Sequence, residues 1–390
     1  MRNVPSVRVG WAALLGALLL VGCGDGSGSQ GGAGGQGASG GSGGSGGGGG
    51  QGGGGGPSYA DPYTIAAFDD TRITSDGNQP NFQTVFTDID FKDGPFASAK
   101  LVVDLASTCY PFDKWVDNPP PAGQNWPADC DAFDRNFDIS LDDPMDPATE
   151  PPGLELMHAI TPFGGPLHLE IDVTDVANGL PGAHRMRAHI TTYSDGAGMV
   201  SGSNGGWNVT AKLEMVPGAP PRNVLAVKSL YYGSQTTVEG PGALNFEAPE
   251  GAVAGKMEFR TSGHGGGSAG SGCIGPAEEF CNRTHTVSID GAVIDTWKPW
   301  RTDCKELCTE TTHTWPSGNS FTYCLENPCG AISSVKAPRA NWCPGSMTAP
   351  KVWETPELGK PGSHSFQWVI NTVASGGNWA ASATYFAYGP

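Results

Sequence analysis

The chain has 390 residues, 60 of them glycine and 32 proline, and carries a formal net charge of −17. Such an acidic surface repels nucleic-acid phosphates and anionic lipid headgroups, which excludes nucleic acid as a partner and a charge-driven membrane dock. The charge is also uneven: residues 58–217 hold 24 acidic and 8 basic side chains, a net of −16, whereas residues 222–390 hold 14 and 12, a net of −2.

At the N-terminus, Arg2 and Arg8 precede an apolar run from Val9 to Gly22. The run is too short and glycine-broken for a membrane span, so residues 1–22 read as a signal peptide. It ends in Leu20-Val21-Gly22-Cys23, the form of a lipoprotein cleavage box, which makes Cys23 the lipidation site. The expected location is therefore outside the cytoplasm, lipid-anchored to the bacterial cell envelope at the outer membrane or cell surface. Residues 23–57 follow as a tether of Gly, Ser and Gln, with no apolar surface to offset ordering entropy. Random-coil scaling gives it a reach of about 30 Å.

From Pro57 onward the pattern is β almost throughout. Lys100–Leu105, Leu167–Val173 and Gly255–Thr261 alternate or are rich in branched residues. Thr286–Ile289 and Ala292–Ile294 flank Asp290-Gly291, a dipeptide that tolerates positive φ and predicts a hairpin. His364–Ala374 and Trp379–Tyr388 read as two closing strands around a Gly376–Asn378 turn. No stretch sustains a helical period. The segment Val216–Pro221 has three prolines in six residues and cannot lie inside a central strand. It divides the folded part into two β domains, 58–217 and 222–390, of sandwich or jelly-roll type.

Nine cysteines remain beyond Cys23: 109, 130, 273, 281, 304, 308, 324, 329 and 343. An exported chain keeps disulfides, and an odd number leaves at least one thiol unpaired within the chain. Zinc at Cys304, Cys308, Cys324 and Cys329 is the competing reading, but these offer no CxxC pair. No metal and no cofactor are expected.

Three stretches crowd acids, an arginine and aromatics against cysteines. They are Cys130-Asp-Ala-Phe-Asp134-Arg135, Glu278-Glu279-Phe280-Cys281-Asn-Arg283-Thr-His285, and Arg339-Ala-Asn-Trp342-Cys343. Paired carboxylates push their pKa values apart, so one serves as acid while the other serves as base. A guanidinium orients a carboxylate or stabilises developing negative charge. Elsewhere, His285 reads as a hydrogen-bonded structural residue, and the acid-rich run Asp138–Asp146 as a solvated loop without EF-hand spacing.

These stretches, with Ile160–Phe163, Leu169–Asp175 and Ser262-Gly-His264-Gly265, occur in the order and wording of the peptide-N-glycosidase F family. The chain is similar to that family from about residue 65 to its end. The resemblance implies two tandem eight-stranded antiparallel jelly rolls with the active site between them. It implies an amidase that releases N-linked glycans from glycopeptides or glycoproteins and converts asparagine to aspartate, acting as a monomer. On the matching positions, Asp134 and Glu279 are the catalytic carboxylates and Arg339 organises them. Arg135, Phe133, Phe280, Trp342, Thr191, Tyr193 and His264 fall at substrate-binding positions. The implied disulfides are Cys109–Cys130, Cys273–Cys281 and Cys304–Cys343. The family's third acid corresponds to Thr191, which cannot act as acid or base near neutrality; Asp195 is the nearby carboxylate. Cys308, Cys324 and Cys329 lie in an insertion with no family equivalent. Because of Thr191, a glycan-binding surface lipoprotein without turnover is the alternative. A copper-dependent oxygenase on a remotely similar fold would need histidine clusters, and none of the eight histidines forms a close pair in sequence.

Overall fold

The computed structural model describes residues 58–142, 152–194, 205–266 and 270–390. The signal peptide, Cys23, the tether, Asp195 and the acidic positions 143–146 lie outside the described residues. The described part is all-β.

The first half contains β1 (Tyr63–Thr74), β2 (Thr84–Phe91), β3 (Phe96–Ser107), β4 (Asn136–Leu141), β5 (Leu154–Ile160), β6 (Leu167–Asp172), β7 (Gly182–Ile190) and β8 (Gly206–Pro217). They pair in the orders β1-β8-β3-β6 and β5-β4-β7-β2. Joining first strand to last and second to seventh is jelly-roll winding. Strict alternation on β8 turns Trp207, Val209, Ala211, Leu213 and Met215 inward. There they meet Leu101 and Val103 of β3 and Phe137 and Ile139 of β4 in one core.

The second half repeats the winding. It contains β9 (Val224–Gln235), β10 (Leu244–Ala248), β11 (Ala254–Gly265), β12 (His285–Ile289), β13 (Ala292–Trp297), β14 (Glu310–Thr314), β15 (Ser320–Cys324), β16 (Ser346–Met347), β17 (Lys351–Thr355), β18 (Gly362–Ile370) and β19 (Gly377–Tyr388). The sheets are β17-β11-β19-β9 and β10-β18-β12-β13, around a core of Met257, Phe259, Phe366, Trp368, Trp379 and Tyr385. The β12–β13 hairpin turns through Asp290 (φ 51°) and Gly291 (φ 76°), the left-handed pair that a two-residue loop needs. The two closing strands flank the Gly376 turn but do not pair with each other. β18 bonds β10 and β12, whereas β19 bonds β9 and β11, so the turn at Gly376 hands the chain from one sheet to the other. The Leu169–Asp175 phrase is likewise split between β6 and a short helix, Thr174–Gly179.

β14, β15 and β16 lie between the fifth and sixth strands of the second winding. Cys308–Cys324 ties the β14–β15 hairpin, and Cys329 forms no disulfide among the described residues. The hairpin carries His313, Trp315, Phe321 and Tyr323, whose rings surround Phe112 of the first roll at 5.0–6.0 Å. β16 bonds β5 through Ser346↔Ile160 and Met347↔Ala159, adding a strand to the first roll's sheet. β5 is buried along its whole length because the second roll covers its outer face, as contacts to Ser262 and Ser382 show.

Candidate active site in the seam between the rolls

The three expected disulfides are formed, and two of them bracket the acidic stretches. Cys109–Cys130 closes the loop before β4. Asp131 is fully buried and holds Arg135 Nε at 3.0 and 3.1 Å through its two oxygens. The Arg135 guanidinium also lies 4.3 Å from the Tyr193 ring and 5.0 Å from Phe133. Arg135 is 6% exposed, so it clamps the loop from beneath, whereas the resemblance put it at a substrate-binding position. What that clamp leaves at the seam is Asp134.

On the second roll, Cys273–Cys281 closes the loop holding a short 3-10 helix, Glu278–Phe280. The two adjacent glutamates have opposite fates. Glu278 is fully buried, accepts both Arg283 Nε and Nη2 at 2.8 Å, and also accepts from Ala374 N–H and Trp379 Nε1–H. Glu279 is turned to the seam and accepts from Arg339 Nη1 at 2.9 Å. Its own carbonyl receives the Ala340 N–H at 2.8 Å, which ties the loop to the arginine strand.

Arg339 is the hinge of the arrangement, at 1% exposure. Its backbone exchanges hydrogen bonds with Arg301 at 2.9 and 3.0 Å, and its Nη2 donates to Ser334 carbonyl and hydroxyl at 3.0 Å. Asn341 follows at φ 68°, a left-handed position that asparagine tolerates, and its side-chain amide donates to Thr261 O. The guanidinium packs on Phe280 at 4.7 Å and Trp342 at 4.5 Å. It reaches Glu279 at 2.9 Å and Asp134 at 3.8 Å, so carboxylates from different rolls share one cation. Asp134 is 19% exposed and Glu279 25%. Burial pushes the Asp134 carboxyl up; Arg339 pulls it back, Glu279 adds to the rise, and it stands at about 7. Glu279 is also raised by burial, against the pull of Arg339. One proton shared near neutrality is what acid–base work requires.

The remaining expected residues scatter around this centre. Trp342 is 2% exposed and donates Nε1–H to Gly263 O, so it packs beneath the guanidinium and offers no open face to a sugar. Phe133 and Phe280 are half-buried, and Tyr193 is 49% exposed. His264 stacks on Trp342. Thr191 lies at the end of β7 with its N–H on Asn136 O, beside a cavity of about 200 Å³ lined also by Asp138, Glu155, His158 and Tyr232. Both acids there are engaged: Asp138 accepts from Arg187 and Tyr232, and Glu155 pairs with His158. His285 departs from its expectation, since both ring nitrogens are buried without a partner among the described residues. It packs between Trp297 and Trp379, and burial lowers its pKa to about 3. Sequence reasoning missed Ser334, Glu155 and His158, for which no local motif exists, and named Arg283 within its stretch without assigning it a role. The sulfurs of Cys109, Cys130 and Cys329 lie within 4.8 Å of one another, but two are bonded to each other and are not thiolate ligands.

Fold and site define a two-jelly-roll β protein with a buried arginine joining one carboxylate from each roll. Residues 232–386 match the family model described as "Peptide-N-glycosidase F, C terminal". That match spans nearly all of the second roll, which is therefore of the peptide-N-glycosidase F C-terminal type. Among solved structures, it is similar to PNGF-II at 18% identity and a TM-score of 0.61, covering 84% of this chain and 65% of that one, just under two thirds of its length. A peptide-N(4)-(N-acetyl-beta-D-glucosaminyl) asparagine amidase matches at 18% identity and a TM-score of 0.60, over 84% of this chain and 96% of that one. PNGase F, a glycosylasparaginase from Flavobacterium meningosepticum, matches at 18% identity and 0.59, over 85% and 96%. At these identities the likeness establishes the fold. No curated protein sequence matches the chain.

Proposed function

We propose that the protein is an amidase acting on N-glycosylated peptides or glycoproteins, which cleaves the bond between the asparagine side-chain carbonyl and the glycan-bearing nitrogen. The observation that carries this is Asp134 and Glu279 meeting on one buried Arg339, with Asp134 titrating at about 7. Arg339 opposes the burial that raises Glu279 and fixes its carboxyl in place, so Glu279 orients a water for attack on the amide carbon. Asp134, from the opposite roll, moves the proton: it takes one as water adds and gives one to the departing nitrogen. The carbon–nitrogen bond breaks, asparagine becomes aspartate, and the glycan leaves as a glycosylamine. Phe133, Phe280 and Tyr193 border this centre and supply apolar contact to the sugar. Arg135 and Trp342 hold the Asp134 loop and the guanidinium from below.

The disulfides fit an exported protein. We further propose that it is a monomer held at the bacterial envelope through lipidated Cys23. Incubation with a defined glycopeptide tests the activity: intact glycan is released, the linkage asparagine is recovered as aspartate by mass spectrometry, and Asp134→Asn abolishes both. Wild-type protein that releases neither high-mannose nor complex glycans refutes it. Saturable glycan binding without turnover would establish the second reading, which Thr191 favours because the acids beside its cavity are already paired.

A further inference from the structure

The seam holds a second polar assembly that the carboxylate pair does not use. Glu155 and His158 stand on β5, and His158 Nδ1 lies 3.1 Å from Glu155 Oε1, with both side chains less than a tenth exposed. The other Glu155 oxygen accepts from Ser382 Oγ of β19. His158 Nε2 lies 3.0 Å from Ser262 Oγ on β11, and that hydroxyl lies 2.7 Å from His264 Nε2. His264 then stacks on Trp342 at 5.3 Å and 24°, and the Arg339 guanidinium lies 4.5 Å from the same Trp342 ring.

Counting protons gives each hydrogen bond a direction. Burial opposes charge on His158, but Glu155 beside it prevails and holds the ring above the usual histidine range. Burial opposes charge on Glu155 too, but His158, Arg260 and Ser382 together more than offset it and hold the acid below its ordinary range. That pairing favours a His158 ring with a proton on each nitrogen, Nδ1–H toward Glu155 and Nε2–H toward Ser262. Ser262 has a single proton and, with one bond already accepted, gives it to His264 Nε2. Burial, His158 and Arg339 together lower His264 to about 3, which leaves its ring neutral. A neutral ring that accepts at Nε2 carries its proton at Nδ1. His264 is only half-buried, and its Nδ1 has no hydrogen-bond partner among the described residues.

We propose that Glu155, His158 and Ser262 are positioning residues that lock His264 as its Nδ1–H tautomer, and that this N–H donates to a carbonyl or hydroxyl oxygen of the glycosylated substrate. The substrate half rests on the amidase reading; the proton positions do not. Nitrogen-15 spectra of the histidine rings in the wild-type protein test those positions directly. The expected result is a neutral His264 protonated at Nδ1 from pH 5 to pH 8, next to a charged His158. A His264 that is protonated at Nε2, or charged at pH 7, overturns the relay.

Glycopeptide kinetics test the donor. Ser262→Ala frees the tautomer and raises KM about fivefold to tenfold, the loss of one hydrogen bond, with kcat within about twofold. His264→Leu raises KM similarly, and His264→Asn, whose amide N–H sits near the place of Nδ1, recovers most of that loss. An unchanged KM in both Ser262→Ala and His264→Leu overturns the donor role. A wild type without glycan release sinks the amidase reading alone, and the ring spectra still decide the relay.

Discussion

Replacing Asp134 by asparagine should make the protein more stable at alkaline pH, because the site holds a carboxylate where an ion is disfavoured. The group moves from an ordinary 3.8 to about 7 in the folded chain. A carboxyl raised in this way contributes stability that is complete below about pH 4 and is lost as pH climbs through about 7. Roughly three pH units at about 1.4 kcal/mol each set an upper bound near 4 kcal/mol on the loss. Since Asp134 is 19% exposed, water reaches it and screens part of this, so about 2 kcal/mol is the working figure. Asparagine mimics the protonated acid and never bears that loss. Thermal melts of Asp134→Asn should match wild type near pH 4, gain steadily, and lie roughly 3–6 °C higher at pH 8. A variant that melts lower than wild type at pH 8, or whose advantage does not grow between pH 4 and pH 7, would refute the account of the site given above.

Glu279→Gln removes a neighbouring negative charge and leaves Arg339 to Asp134 alone. Carboxyl carbon-13 spectra should then show Asp134 titrating about one to two pH units lower, and no movement would show that the two acids do not sense each other. Glu278→Gln should behave in the opposite way to Glu279→Gln in denaturant unfolding. It loses about 3 kcal/mol because Arg283 is stranded inside the protein, whereas Glu279→Gln stays within about 1 kcal/mol. Gly164→Ala places a methyl group 2.6 Å from Cys329 Sγ and 2.8 Å from Cys109 Cβ, at φ 66°. A drop of more than about 2 kcal/mol in unfolding free energy is expected, and a silent substitution would mean that the packing of Cys329 on the first-roll disulfide is loose.

Much of the fold was legible locally, and the rest depends on pairings that no local signal records. Alternation in Lys100–Leu105 and Gly255–Thr261 marks strands because each buries one face. It is silent on partners: β1 bonds β8 across a separation of about 140 residues, with Ile73 opposite Trp207. The turn at Gly376 is equally silent on whether the strands it joins, β18 and β19, share a sheet. The Asp290-Gly291 turn was readable because its φ requirement is carried by the two residues themselves. At the site, Glu278 and Glu279 are chemically identical neighbours, and only the burial of Arg283 and Trp379 against one of them separates their roles. Arg135 and Trp342 illustrate the converse. Residues near chemistry in sequence fall beneath it in space, because the loop that presents Asp134 needs its own support. Glu155 and His158 were hidden for a third reason: His158 and His264 lie 106 positions apart and are linked only through Ser262 across the seam.

The two-residue strand β16 decides what kind of object this protein is. Without Ser346 and Met347, β5 would end its sheet with an open row of backbone donors and acceptors. The first roll therefore borrows its closing edge from the second, and Arg339, which joins the two seam carboxylates, lies only seven positions upstream of that borrowed edge. The rolls share a border as well as a cleft. They are not interchangeable modules, and a chain cut at Gly218 would yield a sticky half and an acid without its partner.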